Sequence, residues 1–587
     1  MTTDEPQAHL VDLVLAACAR TPDAVALRVP RRTRPGGPQR FRSLTFRELA
    51  SRIEAVAAGL RADGLRPGGR VLFSIRPRLD GIVTVLGIAR AGGTVVFVDP
   101  GSTPELFAAR VRAANPTHAA TESLLHALSR GPLRPLARSR GLLLPGYADL
   151  DVAHLHSGPW LPGVPRGSVP VRRLLRAWRA EGQAPAAGLP PLDATREMLV
   201  VFTSGTTAAP RAVVHSGGTL AAATRALGEI VELVAGQDVV TDQMLLGVPA
   251  LLAGATWTVP VVAPARDVVG AAHLMADAAA TFLVPADVTA LLDALEAGTL
   301  PVRAPATVLV GGAPVTRSLL ERATRLVPTT RWVGIYGMTE CLPVASVEAS
   351  AKVAHTGDGD LVGVPVSTVD ARVEPPTTDD VDGQEPAAGE LVVSGPALML
   401  GLLGSDGDVT PVTEHRTGDL ARLDADGSLV LLGRARDMII RGTVNIYPGL
   451  FEPRLAALPG VGEAVLVGLP REDGDEEVAL VLVPASAAAR PDQLVCVHPL
   501  AEAVHPLLGE VLDHGALPDV VVVAPAVPVT GRSRKPDRVA LARAVAQHVA
   551  AARPAERGTA AAAVTLLPGS AAAPVGTGEG ECTCGSR

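Results

Sequence analysis

Residues 71–98 run VLFSIRPRLDGIVTVLGIARAGGTVVFV. VLFSI (71–75) and TVVFV (94–98) are short apolar runs suited to buried strands, and Gly81–Arg90 between them is spaced as a helix. An amphipathic stretch, Phe46–Leu60, comes before the first strand. Helix and strand in alternation argue for an α/β layered fold. Further strand-like runs occur at LVVF (199–202), TFLVP (281–285), TVLVG (307–311), WVGIY (332–336) and ELVVSG (390–395), with helical stretches separating 281, 307 and 332, so the sheet is large.

The chain has 587 residues, 47% hydrophobic and 19% charged, which supplies a large core and is too long for a single small binding module. Its net charge of -7, from 53 basic and 60 acidic residues fairly evenly spread, offers no electrostatic footprint for nucleic acid or an anionic membrane. The start, MTTDEPQ, lacks the layout of a secretory signal. The longest uncharged run, Met244–Ala265, is long enough to span a bilayer, but Gly247, Pro249, Gly254, Pro260 and Pro264 break a spanning helix, and buried strands and turns are expected there instead. Cys18, Cys341, Cys496, Cys582 and Cys584 form no disulfide or zinc framework, which fits a reducing cytoplasm.

Residues 130–195, rich in Pro, Arg and Gly, are expected as loop or surface insertions. The texture changes again beyond residue 433. The expected organisation is a large domain over 1–432, a hinge over 433–437, a small α+β domain over 438–550 built on runs such as AVLVGL and VALVLV, and an Ala/Gly/Pro/Thr-rich disordered tail over 551–587.

The common phosphate-binding patterns are absent. Ala351 and Arg534 precede the two lysines, which excludes GxxxxGK[ST], and no GxGxxG comes after a strand. GxSxG and HExxH are missing too. Directly after LVVF stands Thr203-Ser204-Gly205-Thr206-Thr207, whose hydroxyls and backbone N–H groups suit polyphosphate oxygens, or else make a solvated Ser/Thr turn. After WVGI comes Tyr336-Gly337-Met338-Thr339-Glu340. A tyrosine at a strand's carboxyl end can stack on a base, and a glutamate is a hard ligand for magnesium; a strand end with a surface glutamate explains the same piece. Thr417-Gly418-Asp419 places a carboxylate where it can accept both hydroxyls of a ribose, although an Asp in a turn is also ordinary.

Scarcity adds a second kind of signal. Only Lys352 and Lys535 are lysine, and only Tyr147, Tyr336 and Tyr447 are tyrosine. Where drift has converted nearly every lysine to arginine, a surviving one points to a need for a compact charge on a flexible stem.

In this order and at these separations, the three segments resemble the phosphate loop, the aromatic-Gly-x-Thr-Glu motif and the ribose aspartate of the adenylate-forming superfamily, which includes acyl-CoA synthetases, peptide-synthetase adenylation domains and luciferases. Gly433-Arg434-Ala435-Arg436-Asp437 resembles that family's hinge, and Gly442 through Asn445-Ile446-Tyr447-Pro448 to Glu452 resembles the signature beyond it. Pro528-Val529-Thr530 leading to Lys535-Pro536-Asp537-Arg538 resembles the segment with the catalytic lysine. The similarity covers residues 8–550. It implies a large N-terminal adenylate-forming domain of layered sheets and helices with a small, mobile α+β C-terminal domain.

What the resemblance implies for the site is specific. Lys535, Glu340 and Thr203 would be catalytic. Thr203, Ser204, Gly205, Thr206, Thr207 and Arg211 would bind the phosphates of ATP, Gly312, Ala313, Pro314 and Tyr336 would sandwich adenine with Gly337 and Thr339 nearby, and Asp419 and Arg434 would hold ribose. Glu340 would ligate magnesium, Asp437 would be the pivot, and the Gly442 loop would face the acceptor's channel.

Two departures stand out. Thr207-Ala208-Ala209-Pro210-Arg211-Ala212 replaces the usual Thr-Gly-x-Pro-Lys-Gly, and alanine tolerates positive φ poorly, so a stiffer loop is expected. The stretch from Pro528 to Lys535 is one residue longer than in many members, which makes Arg534 the rival of Lys535.

The implied reaction joins a small-molecule carboxylic acid to ATP as an acyl-adenylate, releases pyrophosphate and transfers the acyl group. The superfamily's default acceptor is a thiol, coenzyme A or a carrier-protein pantetheine. Glu340-Cys341-Leu342-Pro343-Val344 with Val98-Asp99-Pro100-Gly101 is similar to olefin-pathway members that close a β-hydroxy acid to a β-lactone. An amine acceptor, giving an amide, is a third outcome, and a nucleotide-binding homologue without catalysis a fourth. Cys341 reads as a small buried hydrophobe and His215 as structural. The uncharged Leu245–Val262 run suggests an apolar acyl group.

Overall fold

The computed structural model describes residues 8–31, 39–98, 104–139, 144–180, 189, 191–202, 212–300, 304–374, 388–434, 437, 439–441, 444–446, 448–470, 476–512, 516–530 and 535–552. The chain divides into two compact units, Met1–Leu431 with Gly531–Lys535 and Leu432–Thr530 with Pro536–Arg587.

The first unit carries two large sheets. In the nine-stranded sheet, Val169–Pro170, Ala153–Ser157, His118–Glu122, Arg70–Ser74, Thr94–Phe97 and Glu197–Phe202 run parallel in that order, and Ala212–Ser216 closes antiparallel on the last of them. In the thirteen-stranded sheet a parallel run from Val25–Arg31 to Arg331–Met338 gives way to antiparallel pairing at Cys341–Glu348. The apolar runs become strands buried on both faces, as parallel sheets require: Val71, Leu72, Phe73, Val95 and Val96 are all in the core.

Helices arise from their own signals. Phe46–Ala62 begins at a capping box in which Thr45 and Glu48 each bond the other's backbone N–H, and its buried Leu49, Ile53, Val56 and Leu60 form one stripe. That stripe meets helix Leu79–Arg90 closely because Gly87 has no side chain; a Cβ there would lie 2.5 Å from Val56 Cγ1.

Two expectations are corrected. Residues 130–195 are not merely loop, since they supply strands Ala153–Ser157 and Val169–Pro170 and helix Val171–Ala180. The segment's periodic stretches are too short to count between its prolines and glycines, and pairing with His118–Glu122 organises them. The uncharged run also holds a helix, Met244–Ala253, with Pro249 inside it, before strand Thr256–Thr258. Pro249 forfeits a helical hydrogen bond, but Gly247 lets the helix lie on the Trp257 ring, where a Cβ would come within 2.0 Å of Cε2, so burial outweighs propensity. Among the described residues no helix is long and apolar enough to cross a membrane.

The second unit is an α+β layer. Val461–Pro470 pairs antiparallel with Glu476–Pro484, which pairs in parallel with Val520–Val523. Alternate residues feed two cores: Leu466 and Leu480 join Phe451 and Leu455 of helix Pro448–Ala456, while Val465 and Val481 join Leu541 and Val545 of helix Arg538–Ala552.

Candidate functional site

Strand Arg331–Met338 lies parallel to Thr307–Val310 and antiparallel to Cys341–Glu348. Tyr336 faces Ala345, but Met338 faces Cys341, so Leu342, Pro343 and Val344 answer Gly337 alone. Such bulges bend a strand and re-aim its side chains. Gly337 makes room for this one, since a Cβ would sit 2.6 Å from Leu342 Cδ1.

A second bulge lies in the pairing of Gly389–Ser394 with Glu414–Leu423. Glu390 faces Leu420 and Val392 faces Arg416, leaving Thr417, Gly418 and Asp419 opposite Leu391. Gly418 adopts φ 71°, its N–H donates to Glu390 Oε1 at 3.2 Å, and the Asp419 N–H donates to Thr417 Oγ1 at 3.0 Å. Asp419 is thereby turned inward and is 5% exposed.

The two bulges meet. The Tyr336 hydroxyl donates to Asp419 Oδ2 at 2.5 Å. Four places in the strand order separate these strands, roughly 19 Å in a flat sheet at about 4.8 Å per strand, so the sheet must fold over to allow it. The corner is in strand Asp360–Pro365, which pairs with Cys341–Glu348 through Val364 and Pro365 but with Leu429–Arg434 through Asp360, Leu361 and Gly363. Gly363 has φ 91°, and a Cβ on it would lie 1.9 Å from the Ser346 carbonyl oxygen, so only glycine fits where the strand changes partners.

The turn after Tyr336 is held by both of its carbonyls. His215 Nε2 donates to the Thr339 oxygen at 2.7 Å, and the Met399 N–H donates to the Glu340 oxygen at 2.8 Å. Leu400 continues by donating to the Val214 oxygen at 2.7 Å, so the segment through Gly401–Leu403 ties this turn of the thirteen-stranded sheet to the nine-stranded sheet. Burial lowers the His215 pKa below its ordinary value and keeps the ring neutral, with the Nε2 proton fixed by its carbonyl acceptor. The role of His215 is therefore to hold Thr339. Cys341 lies in the core, its thiol pushed up to about 12 by burial and then by Glu340, and it is inert as a nucleophile.

Glu340 is half-buried, and among the described residues no lysine or arginine pairs with its carboxylate. No group of three His, Cys, Asp or Glu side chains that could hold a metal occurs among those residues. A lone free carboxylate suits magnesium, which commonly takes one or two carboxylates and completes its shell with substrate phosphates and water.

Gly312, Ala313 and Pro314 come after strand Thr307–Val310 at its carboxyl end, beside that of the strand carrying Tyr336; Gly312 takes φ 80° and is exposed. Thr203, Ser204, Gly205, Thr206, Thr207 and Arg211 lie outside the described residues, as do Asp99, Pro100, Gly101, Arg534 and Gly442. Strand Glu197–Phe202 leads into the first of these segments and Ala212–Ser216 leaves it.

The backbone of Lys535–Pro536 pairs with Val529–Thr530 as a two-residue strand; the Lys535 side chain, like that of Arg434, is outside the described residues. The residues just beyond Lys535 are firmly held. Asp537 Oδ1 accepts the Ala540 N–H at 2.9 Å as a helix cap. Arg538 makes a two-pronged pair with Glu452 at 2.7 and 2.6 Å, donates to the Leu466 oxygen at 2.8 Å and reaches Asp437 at 3.4 Å. Sequence reasoning gave Glu452 and Arg538 no role of their own, although both stand inside motifs; their opposite charges at either end of the unit were the signal.

The family model described as AMP-binding enzyme matches residues 14–403. A feruloyl-CoA synthase of an Amycolatopsis species is 29% identical over 463 residues, covering 76% of this chain and 84% of that protein. An olefin β-lactone synthetase of Stenotrophomonas maltophilia is 28% identical over 543 residues, covering 84% of this chain and 93% of that protein. Among solved structures, an amide bond synthetase from Marinactinospora thermotolerans superposes with a TM-score of 0.69 at 23% identity, over 91% of this chain and 98% of that one.

Proposed function

The chain belongs to the AMP-binding enzyme family, and from that membership we propose that it is an ATP-dependent acid ligase that forms an acyl-adenylate and passes the acyl group to a thiol, of coenzyme A or of a carrier protein. A carboxylate resists attack because its charge is delocalised and oxide is a poor leaving group. One carboxylate oxygen attacks the α-phosphorus of ATP, the bond to the bridging oxygen breaks, and pyrophosphate departs with the electron pair. The acyl carbon then carries AMP as its leaving group. A thiolate, its proton given to solvent, attacks that carbon and expels AMP.

In this reading Tyr336 and Gly312 to Pro314 bind adenine, Asp419 and Arg434 the ribose, and Thr203 to Thr207 with Arg211 the phosphates. The ammonium of Lys535 acts on the charge gathering at phosphorus, and one preorganised contact of this type commonly contributes about 10²- to 10³-fold. Glu340 would hold magnesium, which would supply further neutralisation there. The buried free thiols of Cys18, Cys341 and Cys496 suit a cytoplasmic site of action.

One observation carries the proposal: the Tyr336–Asp419 hydrogen bond joins two motif residues 83 positions apart. The test is carboxylate-dependent exchange of labelled pyrophosphate into ATP over fatty, β-hydroxy, aryl and amino acids. Exchange is expected with at least one class and lost in Lys535→Ala. No exchange with any acid sinks the ligase reading, and survival in Lys535→Ala with loss in Arg534→Ala moves the role to Arg534.

A second acceptor is favoured by how far the resemblance to the olefin β-lactone synthetase extends, 543 residues against 463 for the feruloyl-CoA synthase. On that route the acid's own β-hydroxyl, giving its proton to solvent, attacks the acyl carbon of the adenylate and expels AMP. The mass of the product formed without added thiol separates a lactone from free acid.

A further inference from the structure

Residues 123–148 and 158–180 contain nine arginines and no carboxylate, in a chain whose net charge is -7. The fold brings the two stretches together at the end of the nine-stranded sheet that terminates in Val169–Pro170. A Cβ on Gly131 would lie 2.2 Å from the Pro162 carbonyl oxygen, and one on Gly163 would lie 2.6 Å from that of His126.

Helix Val171–Ala180 then presents arginine outward. Leu174 and Leu175 pack on the core, Leu174 so tightly that a Cβ on Gly59 would come within 2.7 Å of it. At about 100° per residue, Arg172, Arg173 and Arg176 share roughly a third of the circumference opposite those leucines, and all three are exposed. Among the described residues Arg134, Arg166, Arg172, Arg173 and Arg176 have no carboxylate partner, whereas Arg130 is paired with Asp149. Within the second stretch, on the connection between strands Ala153–Ser157 and Val169–Pro170, Trp160 is 57% exposed. Unpaired guanidinium groups and an exposed indole on the segments flanking one edge strand make up the composition of a bilayer interface, where the ring sits at headgroup level and the cations meet lipid phosphates.

We infer that this edge of the first unit, a local exception to the even spread of charge that offered no footprint for an anionic membrane, docks on an anionic phospholipid bilayer, peripherally and without a spanning segment. An acidic protein would satisfy the charge equally, but it gives no account of an indole standing in water on the connection into the same edge strand. The inference goes beyond the ligase activity and needs no catalysis to test.

The experiment pellets the full chain with phosphatidylcholine vesicles, with and without a third of phosphatidylglycerol. Each basic residue at a charged surface adds on the order of fivefold to partitioning, and the contribution fades within a Debye length. Binding is therefore expected only to the anionic vesicles, weakened by salt, and reduced more than about hundredfold in the Arg172→Glu, Arg173→Glu, Arg176→Glu triple variant. The same three positions changed to lysine should keep binding, and Trp160→Phe should weaken it without changing its salt dependence. Absence of binding, equal binding to pure phosphatidylcholine, or full binding by the glutamate triple overturns the inference. Retention on immobilised polyglutamate with no vesicle binding overturns it in favour of an acidic protein.

Discussion

Asp419 is buried beside the Tyr336 hydroxyl, and its carboxylate is the group that a ribose would engage. Losing a hydrogen bond to a charged group costs about 1.5–3 kcal/mol, so Asp419→Ala should weaken ATP binding about 10- to 100-fold by calorimetry. Unchanged affinity would remove Asp419 from the nucleotide site. A second residue-scale prediction concerns acid. His126 is fully buried, and burial first, with His154 and His156 adding to it, pushes its pKa down to about 4; burial does the same to His9. Below an ordinary value of 6.5 the unfolded chain takes up protons that the native state refuses, so stability is complete above about 6.5 and falls as pH drops towards 4. Each such histidine contributes up to about 1.4 kcal/mol per pH unit in that window. Melting temperature against pH should show the decline, and His126→Leu should flatten it; an identical slope would clear His126. Tyr336 and Asp419 could be picked out from their motifs, but their contact could not. Lysine scarcity was legible too, yet half of it is structural: Lys352 is 3% exposed, pairs with Asp360 at 2.6 Å and donates to the Leu361 oxygen at 3.0 Å. A rare residue marks a demand for its chemistry without saying whether the demand is catalytic.

At the scale of elements, the site depends on irregularities of strands. The strands themselves were readable to within one or two residues, as at Arg70–Ser74, Thr307–Val310 and Gly389–Ser394, because apolar runs bounded by turns are local. The bulges at Gly337 and Thr417–Asp419, and the corner at Gly363, were not, because each exists only against a partner strand that the local sequence does not contain. Gly363→Ala tests the corner. Alanine would have to hold φ 91° and press a methyl into the Ser346 carbonyl, at a combined cost of about 2–5 kcal/mol. A lower melting temperature together with weaker ATP binding is expected, since the same corner brings Tyr336 to Asp419. Loss of stability with normal nucleotide affinity would mean that the corner serves the sheet alone.

On the scale of the whole molecule, each unit has its own hydrophobic cores, those of the first around Trp257, Val213 and Trp332 and those of the second around Leu480 and Val481. A chain ending at residue 434 should therefore fold, melt cooperatively by circular dichroism and bind ATP, yet give no pyrophosphate exchange, because it lacks Lys535. Exchange by that fragment would overturn the role given to the lysine. The sequence by itself determined the layered α/β class and membership of a family, because apolar periodicity and motif order are properties of neighbouring residues. Only the tertiary structure decided that the large sheet turns at Gly363 to join Tyr336 with Asp419, and that His215 and Met399 clasp the turn bearing Glu340. These are contacts between residues remote along the chain, and hydrogen bonding, packing and electrostatic attraction act over distance in space, which no local pattern encodes.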